Sequence, residues 1–191
     1  MLSLSTSRRG GAAPYHHGDL RRALLAAARA LLEAGGPEAV TLREAARTAY
    51  VSHNAPYRHF ASRDALLAAL AAEGFVALAE RLRDARARAA SEPLPALGRA
   101  YLGFAEKERA RFRLMFGGSL ERAAHPALAA GAAEAFGVLR DSVASGTPPE
   151  RVGPAAIHAW GLVHGLATLV ADGQIGREEA DAALGRGAGP G

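Results

Sequence analysis

A cluster of polar side chains between Ser52 and Phe60 has the chemistry of a nucleic-acid contact. The segment SHNAPYRHF holds two histidines, an Asn, a Tyr and an Arg, with few apolar residues to bury. Asn can pair with an adenine edge, Arg with guanine or phosphate, and Ser and His with base edges or phosphate. By residue type alone, the segment fits a capped surface helix with a solvated polar face equally well.

The sequence offers no comparable group for catalysis or metal binding. Cysteine is absent, which excludes disulfides, thiolate nucleophiles and sulfur-ligated zinc. His158 and His164 are six residues apart and therefore lie on different helical faces, unlike a metal-binding pair at i and i+4. No Gly-rich phosphate loop, nucleophile elbow or pair of carboxylates is evident. We therefore expect no enzymatic activity, no metal site and no cofactor.

Two short helices are predicted to hold the polar cluster. The run Thr41-Leu42-Arg43-Glu44 matches a capping box, which predicts a helix that ends near Thr48. Ser52 is placed to cap a second, very short helix, where Pro56 is tolerable because it lies near the start. Neither helix is long enough to bury much surface by itself.

A longer helix precedes this pair. Apolar residues at helical spacing predict it over residues 19–34, and Gly35-Gly36 supplies a stop. The three helices together can form a helix-turn-helix unit, in which the last helix enters the major groove and the one before it crosses the DNA backbone. This arrangement explains why the polar cluster is left exposed.

The rest of the chain repeats a helical pattern of apolar residues. Ser62 caps a long helix that SEPLP at 91–95 interrupts, and no strand pattern competes. Thr147 and Glu150 are spaced as a further capping box, and Gly153-Pro154 implies a kink or a later restart. We predict an all-α protein of about nine helices, without a membrane-spanning segment.

Charge is concentrated in the first third of the chain. Residues 1–63 carry nine arginines against four acids, a net of +5, whereas residues 64–191 carry fourteen basic residues against fifteen acids. A GC-rich genome would explain the preference for Arg over Lys but not this asymmetry. A basic N-terminal third suits a polyanionic partner.

The polar cluster and its neighbours resemble the DNA-binding domain of the TetR/AcrR family of transcriptional repressors. The shared features are the T-L-R-E helix at Thr41–Glu44, the V-S turn at Val51–Ser52, the Y-x-H-F ending at Tyr57–Phe60 and the start of the linking helix at Ser62–Leu67. Further along, Trp160–Gly165 resembles the W-x-x-x-H-G signature of a TetR subgroup.

This resemblance implies a cytoplasmic, ligand-responsive repressor. Such a protein binds a palindromic operator in double-stranded DNA as a homodimer, and a small-molecule effector releases it. The implied organisation is a disordered basic tail at 1–17, a helix-turn-helix DNA-binding domain over 18–63, a helical effector-binding and dimerisation domain over 64–185, and a disordered tail at 186–191. The residues expected to contact DNA are Thr41, Arg43, Ser52, His53, Asn54, Ala55, Tyr57, Arg58, His59 and Arg63.

The larger half is expected to hold the effector and the dimer interface. By resemblance, an effector pocket is expected at Tyr101, Phe104, Phe112, Met115, Phe116, Trp160 and His164, although aromatic residues at helical spacing are also typical of a packed core. Ile157, Gly161 and Gly165 recur every four residues and leave a strip without bulk, where a helix of the same or a second subunit can approach. We expect this strip to be a dimer interface.

Tyr50 departs from the family pattern, which has Gly at this place in the turn. Gly adopts a positive φ freely, whereas a bulky side chain does so at a cost of about 1 kcal/mol or more. A rearranged turn, a phosphate contact by Tyr50 or a weakened domain would each account for the Tyr. The weakened domain corresponds to an alternative function, a helical protein-interaction module with degenerate DNA binding.

Overall fold

The computed structural model describes residues 17–89 and 92–186, and within these ranges it contains helices and turns but no strand. The eight α-helices are α1 (His17–Gly35), α2 (Leu42–Thr48), α3 (Arg63–Arg88), α4 (Pro93–Lys107), α5 (Arg109–Phe116), α6 (Pro126–Ala144), α7 (Pro149–Ala171) and α8 (Arg177–Arg186). Three short 3₁₀ turns lie at Pro37–Ala39, Ala55–Arg58 and Arg122–Ala124. The predicted all-α class is confirmed.

The helix expected after Ser52 is the main departure from the predicted helices. Instead of a short α-helix, the chain forms the 3₁₀ turn Ala55–Arg58, preceded by Asn54 and without a side-chain cap from Ser52. Pro56 has no amide to donate, and its own carbonyl accepts from the amides of both His59 and Phe60, at 2.9 Å each. A segment with so few repeating hydrogen bonds cannot extend into a regular α-helix.

The predicted helix starts are confirmed where a side-chain cap forms. Thr41 Oγ1 accepts from the Glu44 amide at 3.1 Å, and Ser62 Oγ accepts from the Ala65 amide at 3.1 Å. The capping box predicted at Thr147 is wrong, because α7 begins directly at Pro149 with no side-chain cap. Of the two alternatives expected at Gly153-Pro154, a kink or a later restart, the restart does not occur, since α7 continues through Pro154.

Helix α3 lies at the centre of the molecule. Eleven of its residues are buried, and it packs against α1, α4, α5 and α6. At its closest approach to α6, a Cβ added at Gly131 would lie 3.1 Å from Phe75 Cβ and 3.3 Å from the Ala72 carbonyl oxygen. One continuous hydrophobic core therefore joins the helix-turn-helix unit to the C-terminal bundle.

A second connection links α5 to the end of α7. The Arg113 guanidinium donates to the Ala171 carbonyl at 2.8 Å and to Asp172 Oδ1 at 3.0 Å. These two acceptors lie at the C-terminus of α7, where helix carbonyls lack intrahelical partners and attract positive charge. Helix α5 also packs against α1, so it contacts both ends of the molecule.

Helix α7 is unusually apolar for its exposure. Of the helices in the described residues, it alone is long and apolar enough to cross a membrane by length and composition, yet only 28% of its most apolar window is buried. One side of α7 packs against α4, α6 and α8, as a core helix does. Its other side leaves Ile157 62% exposed, and nothing within the described residues covers that side.

The predicted tails lie largely outside the described residues, which begin at His17 and end at Arg186. His17 is the first residue of α1 and Arg186 the last of α8, so both belong to helices and not to the tails predicted at 1–17 and 186–191.

Tyr50 occupies a left-handed backbone position, with a φ of 55°. The Val51 amide donates to the Ala46 carbonyl at 3.0 Å and the Tyr50 amide to the Arg47 carbonyl at 3.2 Å. These two bonds form a Schellman motif at the end of α2, with Tyr50 in the position that Gly normally fills. Of the alternatives left open for Tyr50, a rearranged turn is therefore not observed. The Tyr50 side chain is 96% exposed, so it gains no burial in return.

We predict that Tyr50→Gly raises the melting temperature. Removing the left-handed penalty should stabilise the fold by about 1 kcal/mol, which corresponds to roughly 2–4 °C for a chain of this size. Tyr50→Ala is the matched control, because it removes the ring and keeps the penalty, and it should melt like the original chain. A lower melting temperature for Tyr50→Gly, measured by calorimetry, would contradict the strain.

Candidate functional site

Most of the predicted DNA-contacting residues lie on the surface of the helix-turn-helix unit. Six of them are exposed, namely Arg43, Ser52, His53, Asn54, Tyr57 and Arg58, and four are half-buried, namely Thr41, Ala55, His59 and Arg63. The segment presents an amide, a phenol and a guanidinium within five residues.

Two arginines on this surface are available for a partner. Arg43 and Arg58 are exposed and form no ion pair within the described residues, whereas the Arg47 guanidinium is bound to Glu44 Oε2 at 2.6 Å. An exposed guanidinium without an acid partner can donate to phosphate or to a guanine edge. The positive charge expected from the sequence therefore lies beside the polar cluster.

Two of the predicted contacts are turned inward. The Arg63 guanidinium donates to the Val40 carbonyl at 2.8 Å and to the Pro37 carbonyl at 2.6 Å, and so ties the start of α3 to the connection before α2. His59 Nε2 is buried without a hydrogen-bond partner. The Arg63 guanidinium also lies 3.6 Å from the exposed carboxylate of Glu38, so this side chain is engaged within the protein although it is 38% exposed.

A large apolar cavity occupies the C-terminal bundle. Its volume is about 720 Å³, and its walls come mainly from α3, α4, α6 and α7. This size lies within the range of pockets that bind drug-sized ligands. Three of the six large hydrophobic residues that are exposed in the described structure, Leu94, Ile157 and Leu162, belong to the cavity wall. The cavity therefore extends to the surface of the bundle.

The structure separates the predicted pocket residues into two groups. Tyr101, Phe116 and Trp160 line the cavity. Phe104, Phe112 and Met115 do not, and the expectation that they face a ligand is corrected: they are buried in the core. Helical spacing alone cannot distinguish these cases, because a buried ring in the core and one on a cavity wall share the same periodicity.

His164 supports the cavity wall through Tyr101. Its Nδ1 lies 3.0 Å from the Tyr101 hydroxyl, and its ring lies 4.5 Å from that of Phe116, centroid to centroid. Burial lowers the pKa of the His164 imidazole, and the positive charge of Arg122 lowers it further. Burial raises the pKa of the Tyr101 hydroxyl. Both groups are therefore uncharged at neutral pH.

The sequence analysis did not identify several residues of the cavity wall. Arg122 lines the cavity from the 3₁₀ turn after α5, and Phe136 lines it from α6. Phe136 fits the apolar spacing of its helix, but nothing in that spacing marks it as facing a cavity. Arg122 lies in a segment without periodicity, so only the folded chain brings it to the aromatic rings.

The predicted dimer strip lies on the exposed side of α7. A Cβ added at Gly161 or Gly165 would meet no atom within 4 Å, and Ile157 is 62% exposed. No described helix of the same subunit packs against these two glycines. Ile157 also lines the cavity, so the strip and the cavity are adjacent.

Within the described ranges, no group of three or more His, Asp or Glu side chains could hold a metal ion.

Two family models match the sequence. One is described as bacterial regulatory proteins of the tetR family and matches residues 24–70. The other is described as a tetracyclin repressor-like C-terminal domain and matches residues 94–186. The first match contains the helix-turn-helix surface, and the second contains most of the cavity wall. A search of curated proteins found no match.

Solved structures with the same fold include a protein of unknown function from Rhodococcus sp. RHA1. It is 35% identical, with 91% of this chain and 94% of that one covered and a TM-score of 0.79. The multidrug binding protein EbrR complexed with imidazole is 21% identical, with coverages of 95% and 96% and a TM-score of 0.67. The regulator FadR from Bacillus subtilis in complex with stearoyl-CoA is 16% identical, with coverages of 86% and 95% and a TM-score of 0.64.

The placement of Arg63 leads to a test of its role. Arg63→Ala removes two charge-assisted hydrogen bonds to main-chain carbonyls, and we expect it to lower the free energy of unfolding by about 2 kcal/mol. Arg47→Ala is the control, because it removes an exposed ion pair within α2 and should lower the free energy of unfolding much less than Arg63→Ala. Chemical denaturation of both variants measures the difference. Equal, small losses would show that Arg63 does not hold the unit together.

Proposed function

Because this chain belongs to the TetR family of bacterial regulatory proteins, we propose that it is a ligand-responsive transcriptional repressor. It binds a palindromic operator as a homodimer, and a small molecule in the bundle cavity releases it. The observation that carries the proposal is that one continuous core connects an exposed, cationic helix-turn-helix surface to an apolar cavity. As a regulator of transcription it acts in the cytoplasm, and the relatives with a named role are regulators or binding proteins, not enzymes.

The subgroup with the W-x-x-x-H-G signature is part of the proposal. In this chain Trp160 lines the cavity and His164 bonds to Tyr101, while Gly165 lies on the open strip of α7. Of the three residues of the signature, Trp160 therefore lies in the cavity wall, His164 lies beside the cavity, and Gly165 lies on the proposed dimer face. Such a placement would explain why they occur together.

We assign the DNA contacts by exposure and chemistry. Asn54 is placed to read a base edge, and Arg43, Arg58 and Tyr57 to hold phosphates. Thr41, Ser52, His53 and Ala55 lie around them and complete the contact surface. His59 and Arg63 act indirectly, because His59 Nε2 is buried and the Arg63 guanidinium is committed to main-chain carbonyls.

The dimer is proposed to form through α6 and α7. Helix α7 presents Ile157, Gly161 and Gly165 with open space above the glycines, so a helix of a second subunit can approach closely. Burying Ile157 would remove apolar surface from water at about 25 cal/mol per Å². A dimer would also set the spacing of two recognition segments to about one turn of DNA, as a palindrome requires.

The switch is proposed to follow from a population shift. A ligand that binds more tightly to a conformation with the wrong spacing of recognition segments shifts the protein towards that conformation. EbrR in complex with imidazole and FadR in complex with stearoyl-CoA show that this fold can hold small molecules. In this chain α3 contributes to the cavity wall and begins at the helix-turn-helix unit, so it can carry the movement.

The alternative function has specific support. Tyr50 is strained in the turn, and the recognition segment is only a four-residue 3₁₀ turn. Both features would weaken insertion into the major groove. A helical protein-interaction module that has lost sequence-specific DNA binding is therefore the second candidate.

Selection of bound duplexes from a random pool tests the two candidates. We expect an inverted repeat with half-sites about one helical turn apart, and an affinity that falls steeply with salt as counterions are released. Sedimentation of the same preparation should show a dimer at micromolar concentration. No enriched motif, or a salt-independent affinity, would favour the interaction module; Tyr50→Gly is the variant to test next, because it restores the usual turn.

Single substitutions then separate base reading from phosphate binding. Asn54→Ala should cost about 1–3 kcal/mol on the selected site and relax the preference at one position. Arg58→Ala should weaken binding to all duplexes similarly and reduce the salt slope by about one. Competition titrations with the selected and a scrambled duplex measure both effects. The reverse pattern would exchange the two roles.

A further inference from the structure

We propose that the effector is an apolar molecule that carries a single carboxylate, and that Arg122 and Tyr101 receive this group inside the cavity. This inference rests on the proposed function, because it assumes that the cavity of the bundle is the effector site. It goes further by naming the chemistry of the ligand and the residues that select it.

Arg122 is a solvent-exposed cation at the edge of the cavity. It lines the cavity, and its guanidinium lies 5.4 Å from the ring centroid of Phe75 and 6.0 Å from that of Phe116. Both rings belong to the cavity wall, so the charge is held against its aromatic side. Stacking on aromatic faces fixes the plane of a guanidinium while leaving its N–H donors at the edge.

The charge of Arg122 has no carboxylate partner in the described part of the chain. Its only protein contact of hydrogen-bond type is a long one, from Nη2 to the Met115 carbonyl at 3.4 Å. By contrast, the guanidiniums of Arg81 and Arg111 are both bound to Glu108. An arginine beside an apolar cavity that is left without an acid has donors free for an anion.

Tyr101 supplies a second donor close to this charge. Its side chain is 5% exposed, and its hydroxyl is bonded to His164 Nδ1 at 3.0 Å. Neutral imidazole can either accept from the hydroxyl or donate to it, depending on its tautomer. When Nδ1–H donates to the Tyr101 oxygen, the Tyr101 proton is free to bond to a ligand oxygen.

The rest of the wall favours an apolar body and disfavours a cation. Leu78, Leu97, Phe136 and Leu139 are among its apolar residues, and the wall includes no Asp or Glu among the described residues. A cationic ligand would lose part of its hydration, find no counter-charge on the wall and lie near the positive charge of Arg122, which is unfavourable. An anion gains a partner, and a neutral ligand gains only the apolar contacts.

Trp160 provides a direct readout, because it is the only tryptophan of the chain and it lines the cavity. The experiment titrates the full chain, without DNA, with decanoate, decanol and decylamine, which share one chain length, and follows Trp160 fluorescence. We expect decanoate to bind about tenfold more tightly than decanol, from one charge-assisted contact, and decylamine to bind most weakly. Equal or tighter binding of decanol or decylamine, or no binding by any of the three, would overturn the proposal.

Arg122→Gln tests the assigned residue. It should weaken decanoate binding about tenfold and change decanol binding by less than about twofold, which also shows that the cavity is intact. Arg88→Gln is the matched control, because it removes the same charge from an exposed arginine that does not line the cavity, and it should leave both affinities unchanged. Unchanged decanoate binding by Arg122→Gln would overturn the role of Arg122. If Arg122→Gln fails to fold, the preference of the original chain for decanoate over decylamine still decides the ligand class.

A calorimetric titration distinguishes two kinds of acid, one with an aliphatic body and one with an aromatic body. Titration with 2-naphthoate and 2-naphthol compares an aromatic acid with its neutral analogue, as decanoate and decanol compare an aliphatic pair. Preference for the acid in both pairs supports the proposal, and preference for the neutral member in either pair contradicts it. The acid that binds more tightly shows which body the cavity accepts. These titrations contain no DNA, so their outcome is separate from that of the operator selection, which tests the regulator itself.

Discussion

The burial of α3 is the constraint on which the rest of the structure depends. This helix begins beside the helix-turn-helix unit, buries eleven residues and contacts four other helices. Its close contact with α6 is possible because Gly131 has no side chain to separate them. Since the same helix contributes to the core of both halves and to the cavity wall, neither half can be displaced without α3.

Sequence periodicity captured the regular parts of the fold and missed those that depend on tertiary context. The helix over 19–34 and the caps at Thr41 and Ser62 follow from local rules, and the structure contains them. The helix after Ser52 does not form, because polar residues around Pro56 offer neither a buried face nor a repeating hydrogen-bond pattern. Local rules describe what a segment can form, whereas neighbouring segments decide what is stable there.

The same distinction explains the cavity. Phe104 and Phe116 look alike in the sequence, yet one is in the core and the other on the cavity wall. Arg122 was not recognisable at all, because its role depends on how the chain folds it against Phe116 at the end of α5 and Phe75 in α3. At Tyr50 the sequence left a rearranged turn open, because Gly is the residue that adopts a positive φ freely, and the structure keeps the positive φ with Tyr in place.

Arg113 provides a second connection between the C-terminal bundle and the helix-turn-helix unit. Its guanidinium fastens the C-terminal end of α7 to α5, and α5 rests on α1 in the helix-turn-helix unit. Any rotation of α7 must therefore either break these hydrogen bonds or carry α5 with it, while α3 moves on its own contacts. The recognition segment is therefore connected to the C-terminal bundle through two sets of contacts, one along α3 and one through α5, and both sets constrain its orientation. Such a linkage resists small displacements of either helix and transmits fully only those in which both move together.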